Sequence, residues 1–516
     1  MSGMLFVLLF WLASIAASPV RPAASPGALP SAEPEPPRAR VDVAWRTPAG
    51  RTLEVRAGGS FQAALDQARP GDVISLSAGS VYNGPFHLPR KSGDAWILIR
   101  TSAPDGELPA AGRRVGPDAA ARMPHLQSSR EPVIDTAPGA NHYRFLGIEM
   151  SPSAGSFLLN VALIGSNESS PSEQPHHIVF DRCYVHGDPV KGSRRGIALN
   201  SSQSAVIDSW ISDFKEVGAD TQAIAGWNGP GPFLVEGNYL EAAGENIMFG
   251  GADPAVRGLV PADIEIRRNR ISKPLRWKEG DGASADSSWS VKNLLELKNA
   301  RRVVIEGNVL ERNWAQSQNG FAVLFTPRNQ DGSAPWSVVE DVLFINNVVT
   351  QTGAGINILG HDDAAASGQA RRLAIRNNLF TEIDATRWGG PGTLFQLLNG
   401  TMELRIENNT AVHSGATIMA EGKPHRGFVY RANLTSGSSY DFIGTGTGPG
   451  APTLRTYFPG AVIEKNTLFV RDRLRAIPPS SADRSGADLA SICAALAPED
   501  RPAADCDGFA PFTTRE

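Results

Sequence analysis

The sequence predicts an all-β solenoid: a right-handed parallel β-helix of about 11 or more rungs with a short N-terminal capping helix. Three observations carry that prediction. A short strand–corner–strand unit repeats along the chain, an asparagine returns at one corner of it, and glycine (52) and proline (38) are as abundant as a turn-dense chain requires.

The clearest unit is residues 294–310, "LLELKNARRVVIEGNVL". It reads as a strand over 294–298, a polar corner over 299–302 and a second strand over 303–305. A Gly307-Asn308 corner follows, and then the apolar pair Val309 and Leu310. Apolar and polar residues alternate, and β-branched residues dominate the second strand. One such unit cannot bury its apolar face alone, so it needs stacked copies. They follow on Asn238, Asn269, Asn347, Asn378, Asn409 and Asn466, and neighbours from Asn238 to Asn409 are 31, 39, 39, 31 and 31 residues apart. Weaker copies centre on Asn433, Cys183, Trp210 and Ile148. A propeller blade needs four strands, and leucine-rich or helical repeats need a helical period, whereas these units hold two or three short strands. The recurring asparagine is expected to tolerate a left-handed corner and to bond backbone groups, forming a ladder through the stack.

Taken in order, residues 4–17 form an apolar run too short to span a membrane and suited to a signal peptide (1–17), with an uncleaved anchor as the alternative. Stable membrane insertion is not expected. The Pro/Ala/Ser-rich stretch 18–51 reads as a disordered linker. The β-helix domain is expected over 52–470. Ser60 caps a helix carrying Phe61, Ala64, Leu65 and Ala68 on one face, a cover for the open end of the solenoid. Strand signals follow at 72–79 and 96–103, then a Pro/Gly/Arg-rich excursion over 104–130, with rungs from Tyr143 onward. The longest interruption is 272–292. The excursions 327–337 and 361–372 leave at nearly the same rung position, which predicts a groove wall on one side of the stack. Residues 471–516 read as a tail with one short helical piece.

The net charge of −4 and a pI near 6.2 give no basic stripe, so nucleic acid is not an expected partner. Of the three cysteines, Cys183 reads as a buried filler at a rung corner. Cys493 and Cys506 are placed to pair in an oxidising compartment.

The stretch "PGDVISLSAGSVYNGPFHLPRKSG", together with the Asn-cornered rungs, resembles the secreted right-handed β-helix proteins grouped with pectate lyases, over roughly residues 52–470. That group includes polysaccharide lyases, glycoside hydrolases, uronan epimerases and non-catalytic stalks, so the resemblance implies a fold and a polysaccharide partner but no single activity. "HDD" at 361–363 lacks the glycine context of the polygalacturonase motif, and "HGDPVKG" at 186–192 is not the Asp-Pro-His order of alginate epimerases.

Stacking the rungs predicts an outward face carrying Glu296, Lys298, Asn357 and Gln396, with Arg328, His361, Asp362 and Asp363 just past the strand ends. Elimination across an acidic sugar needs a group to neutralise the uronate carboxylate, a base for the C5 proton and a proton for the leaving oxygen. Lys298 or His361 is the candidate base and Arg328 the carboxylate clamp, while Glu296 with Asp362 offers the hard oxygen ligands that suit calcium. The competing reading of Glu296 and Lys298 is an exposed cross-rung ion pair. A second candidate set comprises Asp220, Gln222, Trp227, Asn228, Asn246 and Asp253. Trp227 and Asn228 there would bind sugar, and Asp220 with Asp253 would form a hydrolytic pair. Trp277, Trp289, Trp314 and Trp336 either line a carbohydrate groove or pack the long loops down. A secreted or periplasmic lyase on uronate-rich chains is the leading expectation, ahead of a hydrolase and a non-catalytic glycan-binding solenoid.

Overall fold

The computed structural model describes residues 32–130, 132–279, 289–436, 441–470 and 473–476, and over them the chain is a right-handed parallel β-helix. Each complete rung contributes one strand to each of three sheets, which with the incomplete turns at the two ends hold 14, 12 and 14 strands among the described residues. The rung around Asn308 shows the order. Ala300–Glu306 lies in sheet 1, Val309–Asn313 in sheet 2 and Phe321–Phe325 in sheet 3. Strands inside each sheet pair in parallel with their counterparts in the rungs on either side, and at the end Arg473–Ala476 runs antiparallel to Thr467–Val470. Inward residues such as Leu295, Leu297, Ile305, Leu310, Val323 and Phe325 are fully buried and form one core along the axis. No helix among the described residues is long and apolar enough to cross a membrane.

The asparagine ladder is continuous. From Asn238 through Asn269, Asn308, Asn347, Asn378, Asn409 and Asn433 to Asn466, each backbone N–H and each Nδ2 donates to the Oδ1 of the next, at 2.9–3.1 Å. Each Nδ2 also donates to a backbone carbonyl, as Asn308 does to Ile266 at 2.9 Å. Two expectations change. The left-handed residue is the one before each asparagine (Gly237, Arg268, Gly307, Asn346, Asn377, Asn408, Ala432 and Lys465, at φ between 51° and 72°), so the asparagine itself is free to bond across rungs. The ladder also continues downward through Ser209 rather than Trp210. Ser209 N–H donates to Asn238 Oδ1 at 2.8 Å, and Ser209 Oγ accepts from Cys183 N–H at 3.0 Å. Cys183 is buried as expected, and burial pushes its thiol up to about 12.

The helix Phe61–Gln67 is capped by Ser60 Oγ, which accepts from Ala63 N–H, and it buries Phe61, Ala64 and Leu65 over the first rungs. Rungs begin before Tyr143: Val73–Leu76 already pairs with Ile97–Thr101, and Ile97–Thr101 with Asn141–Leu146. The excursion 104–130 is interrupted by His125–Ser128, which belongs to sheet 2.

The described part of the expected linker is ordered. Residues 32–45 run across the outside of sheet 1, from Glu33 against Arg376 and Arg405, past Asp341 and Asp263, to Val43 and Trp45 at Arg144. Val41 and Val43 pack on Val179, Ala205, Ile207 and Leu234. At ~4.8 Å per rung, the roughly eight rung spacings crossed need ~38 Å, a distance that about a dozen extended residues span. The signal-peptide run, the Cys493–Cys506 pairing and the tail helix lie outside the described residues.

Candidate active-site groove

Sheet 3 carries the groove. Pairing sets Glu296 against Leu324, Leu324 against Asn357, and Asn357 against Gln396, so these four side chains form one outward row across consecutive rungs. A groove of 640 Å³ opens over that row, lined by Glu296, Lys298, Thr326, Arg328, Asn357 and Gln396, with Gln318 and Asn319 along one edge and Asn329 and Asp362 along the other. Asp362 Oδ2 accepts from Asn329 N–H at 2.9 Å, Asn329 Nδ2 donates to Ala366 O at 2.8 Å, and Ser333 ties the same wall to Asp253. The excursions 327–337 and 361–372 thus stack into a wall on one side, as their rung position implied.

Within the groove, Glu296 is 3 % exposed, and its oxygens accept from Asn293 Nδ2 (3.0 Å) and Thr326 Oγ1 (3.1 Å). Lys298 Nζ lies 3.9 Å from Glu296 Oε1. Arg328 pairs through Nη1 with both Asp362 (2.7 Å) and Asp363, which leaves its Nε and Nη2 donors for a ligand. Asn357 Nδ2 donates to Gln396 Oε1 at 2.7 Å, so the floor presents a bonded amide pair.

Of the remaining expected site residues, Asp362 stays in the groove wall and the others separate from this set. Burial, and then the charge of Lys423, lowers the pKa of His361, whose imidazole lies outside the groove lining. Asp362 accepts from Arg328 Nη1, Ala364 N–H and Asn329 N–H. Although burial raises its pKa, those bonds outweigh it and hold the carboxyl below the usual range. Three of about four lone-pair directions are thereby taken, which leaves little for a calcium ion shared with Glu296. Asn228 is fully buried, and its amide is committed to Ser166, Glu168 and Ala255. Trp227 lies under the Arg195 guanidinium, 5.4 Å from ring centroid to Cζ. Asp253 accepts from Ser333, and Asp220 pairs with Lys292 at 2.5 Å. These two carboxylates lie beyond opposite ends of sheet 3 strands, a strand length of roughly 13 Å or more apart, and do not face each other. Trp277, Trp289 and Trp314 join Trp388 in a buried cluster, and Trp336 Nε1 donates to Leu259 O, so these indoles pack loops.

Sequence reasoning named Gln222 and Asp220 beside the groove but missed their charged neighbours Glu245 and Lys292. Gln222, Glu245 and Asn293 are in register on sheet 3. Gln222 Nε2 donates to Glu245 Oε2 at 2.7 Å, and Lys292 Nζ lies 3.4 Å from Glu245 Oε1. Burial, followed by the charges of Glu296 and Asp220, raises the Glu245 pKa. Burial pulls Lys292 down, but Glu245, Asp220 and Glu296 outweigh it. The signal available was the strand "GENIMF", which aligns on Asn293 only once the interruption 272–292 is removed.

No family model matches the chain, and no curated protein does. Solved structures resemble it in outline. One is the catalytic unit of a GH87 α-1,3-glucanase from Streptomyces thermodiastaticus (TM-score 0.47, 14 % identity, 87 % of this chain and 71 % of that one). Another is a mannuronic acid specific family 6 polysaccharide lyase from human gut microbiota (TM-score 0.47, 11 % identity, 81 % and 87 %). A third is a pectate lyase (TM-score 0.32, 14 % identity, 81 % and 79 %). At such values the likeness decides nothing about this chain, and the β-helix assignment stands on the strand pairing itself.

Proposed function

We propose that the protein acts on a uronate-containing polysaccharide by β-elimination in the sheet 3 groove. The observation that carries this reading is the convergence of Lys298, Arg328 and Glu296 on one groove, whose other carboxylate, Asp362, is already bonded. Arg328 holds the uronate carboxylate by hydrogen bonds from its remaining guanidinium donors. Lys298 Nζ is the general base that takes the C5 proton. The C4–O bond breaks as the C4=C5 double bond forms, and the leaving oxygen takes a proton from water in the open groove. Asn357 and Gln396 bond sugar hydroxyls along the floor. The apolar run at residues 4–17 supports export, to the periplasm or the medium, where such polymers occur.

The test is incubation of the purified protein with polymannuronate, polyguluronate and polygalacturonate, with and without calcium, while ultraviolet absorbance of unsaturated uronate ends is followed. A rise that disappears in Lys298→Ala and Arg328→Ala is expected, and its calcium dependence decides whether Glu296 and Asp362 serve a cation. New reducing ends without that absorbance would move the chemistry to hydrolysis at Asp220, Glu245 and Glu296. Binding without turnover would make the protein a glycan-binding solenoid.

A further inference from the structure

Sheet 2 carries a second cluster, on a different face from the groove. Strand pairing places His125 against Glu149 and Tyr184 against Glu149 on the other side. His186 projects from the same face two residues beyond Tyr184. One ligand atom from each of His125, Glu149 and His186 lies within 4.8 Å of the other two. The side chains of His186 and Glu149 are 13 % and 14 % exposed, so water reaches the cluster without flooding it.

Hydrogen bonding decides what His186 presents to Glu149. Its Nδ1 lies 2.8 Å from Gly187 O, which can only accept, so Nδ1 carries the hydrogen. The neutral ring then has its lone pair on Nε2, and that atom faces Glu149 Oε1, a second acceptor, at 3.1 Å. Two acceptors aimed at each other in a half-enclosed site need positive charge between them, either a proton or a metal ion. The bond from Nδ1–H to a carbonyl is also how a metal-binding imidazole is commonly oriented. Tyr184 stacks on the ring at 4.4 Å and fixes its plane. His125, held by Ser151 Oγ at 2.7 Å, supplies a third donor from a neighbouring rung.

We propose that His125, Glu149 and His186 form a binding site for a divalent transition-metal ion of the zinc class. Two imidazoles and one carboxylate suit zinc or cobalt and leave a coordination position for water, whereas calcium needs six or more oxygens. Because the ligands come from three consecutive rungs, the ion ties those rungs together. A second trio, His142, His176 and His177, fits less well. The His142 and His177 rings stack at 4.3 Å with an interplanar angle of 15°, so their in-plane lone pairs run side by side instead of converging.

The test uses the full chain stripped of metal by a chelator, titrated with Zn²⁺ in a calorimeter and with Co²⁺ in a spectrophotometer. One ion per chain is expected, with a cobalt spectrum of low coordination number, no competition from Ca²⁺ and a rise in melting temperature. Glu149→Gln, close to isosteric, and His186→Ala are each expected to weaken Zn²⁺ binding at least tenfold and to remove the thermal shift. His142→Ala is expected to bind as the parent does. Absence of Zn²⁺ binding by the parent would assign the His186–Glu149 contact to a shared proton and overturn the site. So would unchanged affinity in Glu149→Gln and His186→Ala, or loss of binding in His142→Ala alone.

Discussion

Glu33 grips Arg376 across 343 residues of sequence: Arg376 Nη2 donates to Oε1 at 2.8 Å, and Nη1 lies 2.7 Å from Oε2. The pair is exposed and contributes below about 1 kcal/mol by itself. It marks one end of an extended strap whose grip comes from other bonds. Glu35 N–H donates to Asp341 Oδ1 at 2.9 Å and Arg38 N–H to Asp263 Oδ1 at 2.8 Å, both carboxylates being buried and paired with Arg372 and Arg302 respectively. A chain beginning at Arg46 loses both charge-assisted bonds and uncovers Val179, Ala205, Ile207 and Leu234. Its stability in urea is expected to fall by about 3 kcal/mol, while Glu33→Ala changes it by under about 1 kcal/mol. An unchanged urea midpoint in the truncated chain would show that the strap is not holding the sheet.

Asn308→Ala removes more than one bond. Asn269 N–H and Nδ2 lose their acceptor, and Ile266 O and Asn347 Oδ1 lose donors, all of them buried. With each stranded polar group costing about 1–3 kcal/mol, a loss of roughly 3–5 kcal/mol is expected. Asn308→Asp keeps the acceptor but turns a carboxylate oxygen toward Ile266 O and Asn347 Oδ1, both acceptors, and is expected to lose at least as much in the same urea titration. A clearly smaller loss in Asn308→Asp than in Asn308→Ala would show that the Nδ2 donor contributes little to the ladder.

Lys273 is fully buried, and its Nζ donates to Ala242 O, Gly244 O, Asn246 Oδ1 and Asn293 O at 2.8–3.0 Å. Burial lowers its pKa to about 7. Lys273→Met fills similar volume yet takes the Nζ donor away from Ala242 O, Asn246 Oδ1 and Asn293 O, while Gly244 O keeps Asn293 N–H at 3.2 Å, so unfolding is expected to become easier by about 3–5 kcal/mol. Calorimetric melting reads the change, and a melting point equal to the parent's would show that the bonds only offset the cost of burying the amine.

What the sequence revealed follows from how local each signal is. The ladder was legible because Asn308 and its copies recur at a fixed corner. The register slipped at Ser209 because a small hydroxyl took the ladder position beside the more conspicuous Trp210. The strap escaped because residues 32–45 have no core of their own, and their grip on sheet 1, two backbone N–H bonds among it, is made with residues far away in sequence. On sheet 3 the alternation around Glu296, Asn357 and Gln396 gave the groove floor. The side to which His361 turns depends on the loop after Leu359, and Glu245 and Lys292 were hidden by an interruption that separates strands adjacent in space.

Two buried imidazoles make stability depend on acidity. His413 and His425 are both lowered to about 4, chiefly by burial. His425 Nδ1 accepts from Thr401 N–H at 3.0 Å, and its ring stacks on Phe458. In the unfolded chain each titrates near 6.5, so between pH 6.5 and about 4 the unfolded state binds more protons than the folded one. Their contribution is complete above pH 6.5 and is lost as pH falls toward 4, at up to about 1.4 kcal/mol per pH unit for each group. Carboxylates that are ion-paired in the fold add a loss of the same sign, so the informative quantity is a difference. Urea midpoints at several pH values are expected to decline less steeply in His413→Gln and His425→Gln than in the parent, even where the variants are less stable at neutral pH. Parallel curves would show that these imidazoles do not take up the protons that weaken the fold in acid.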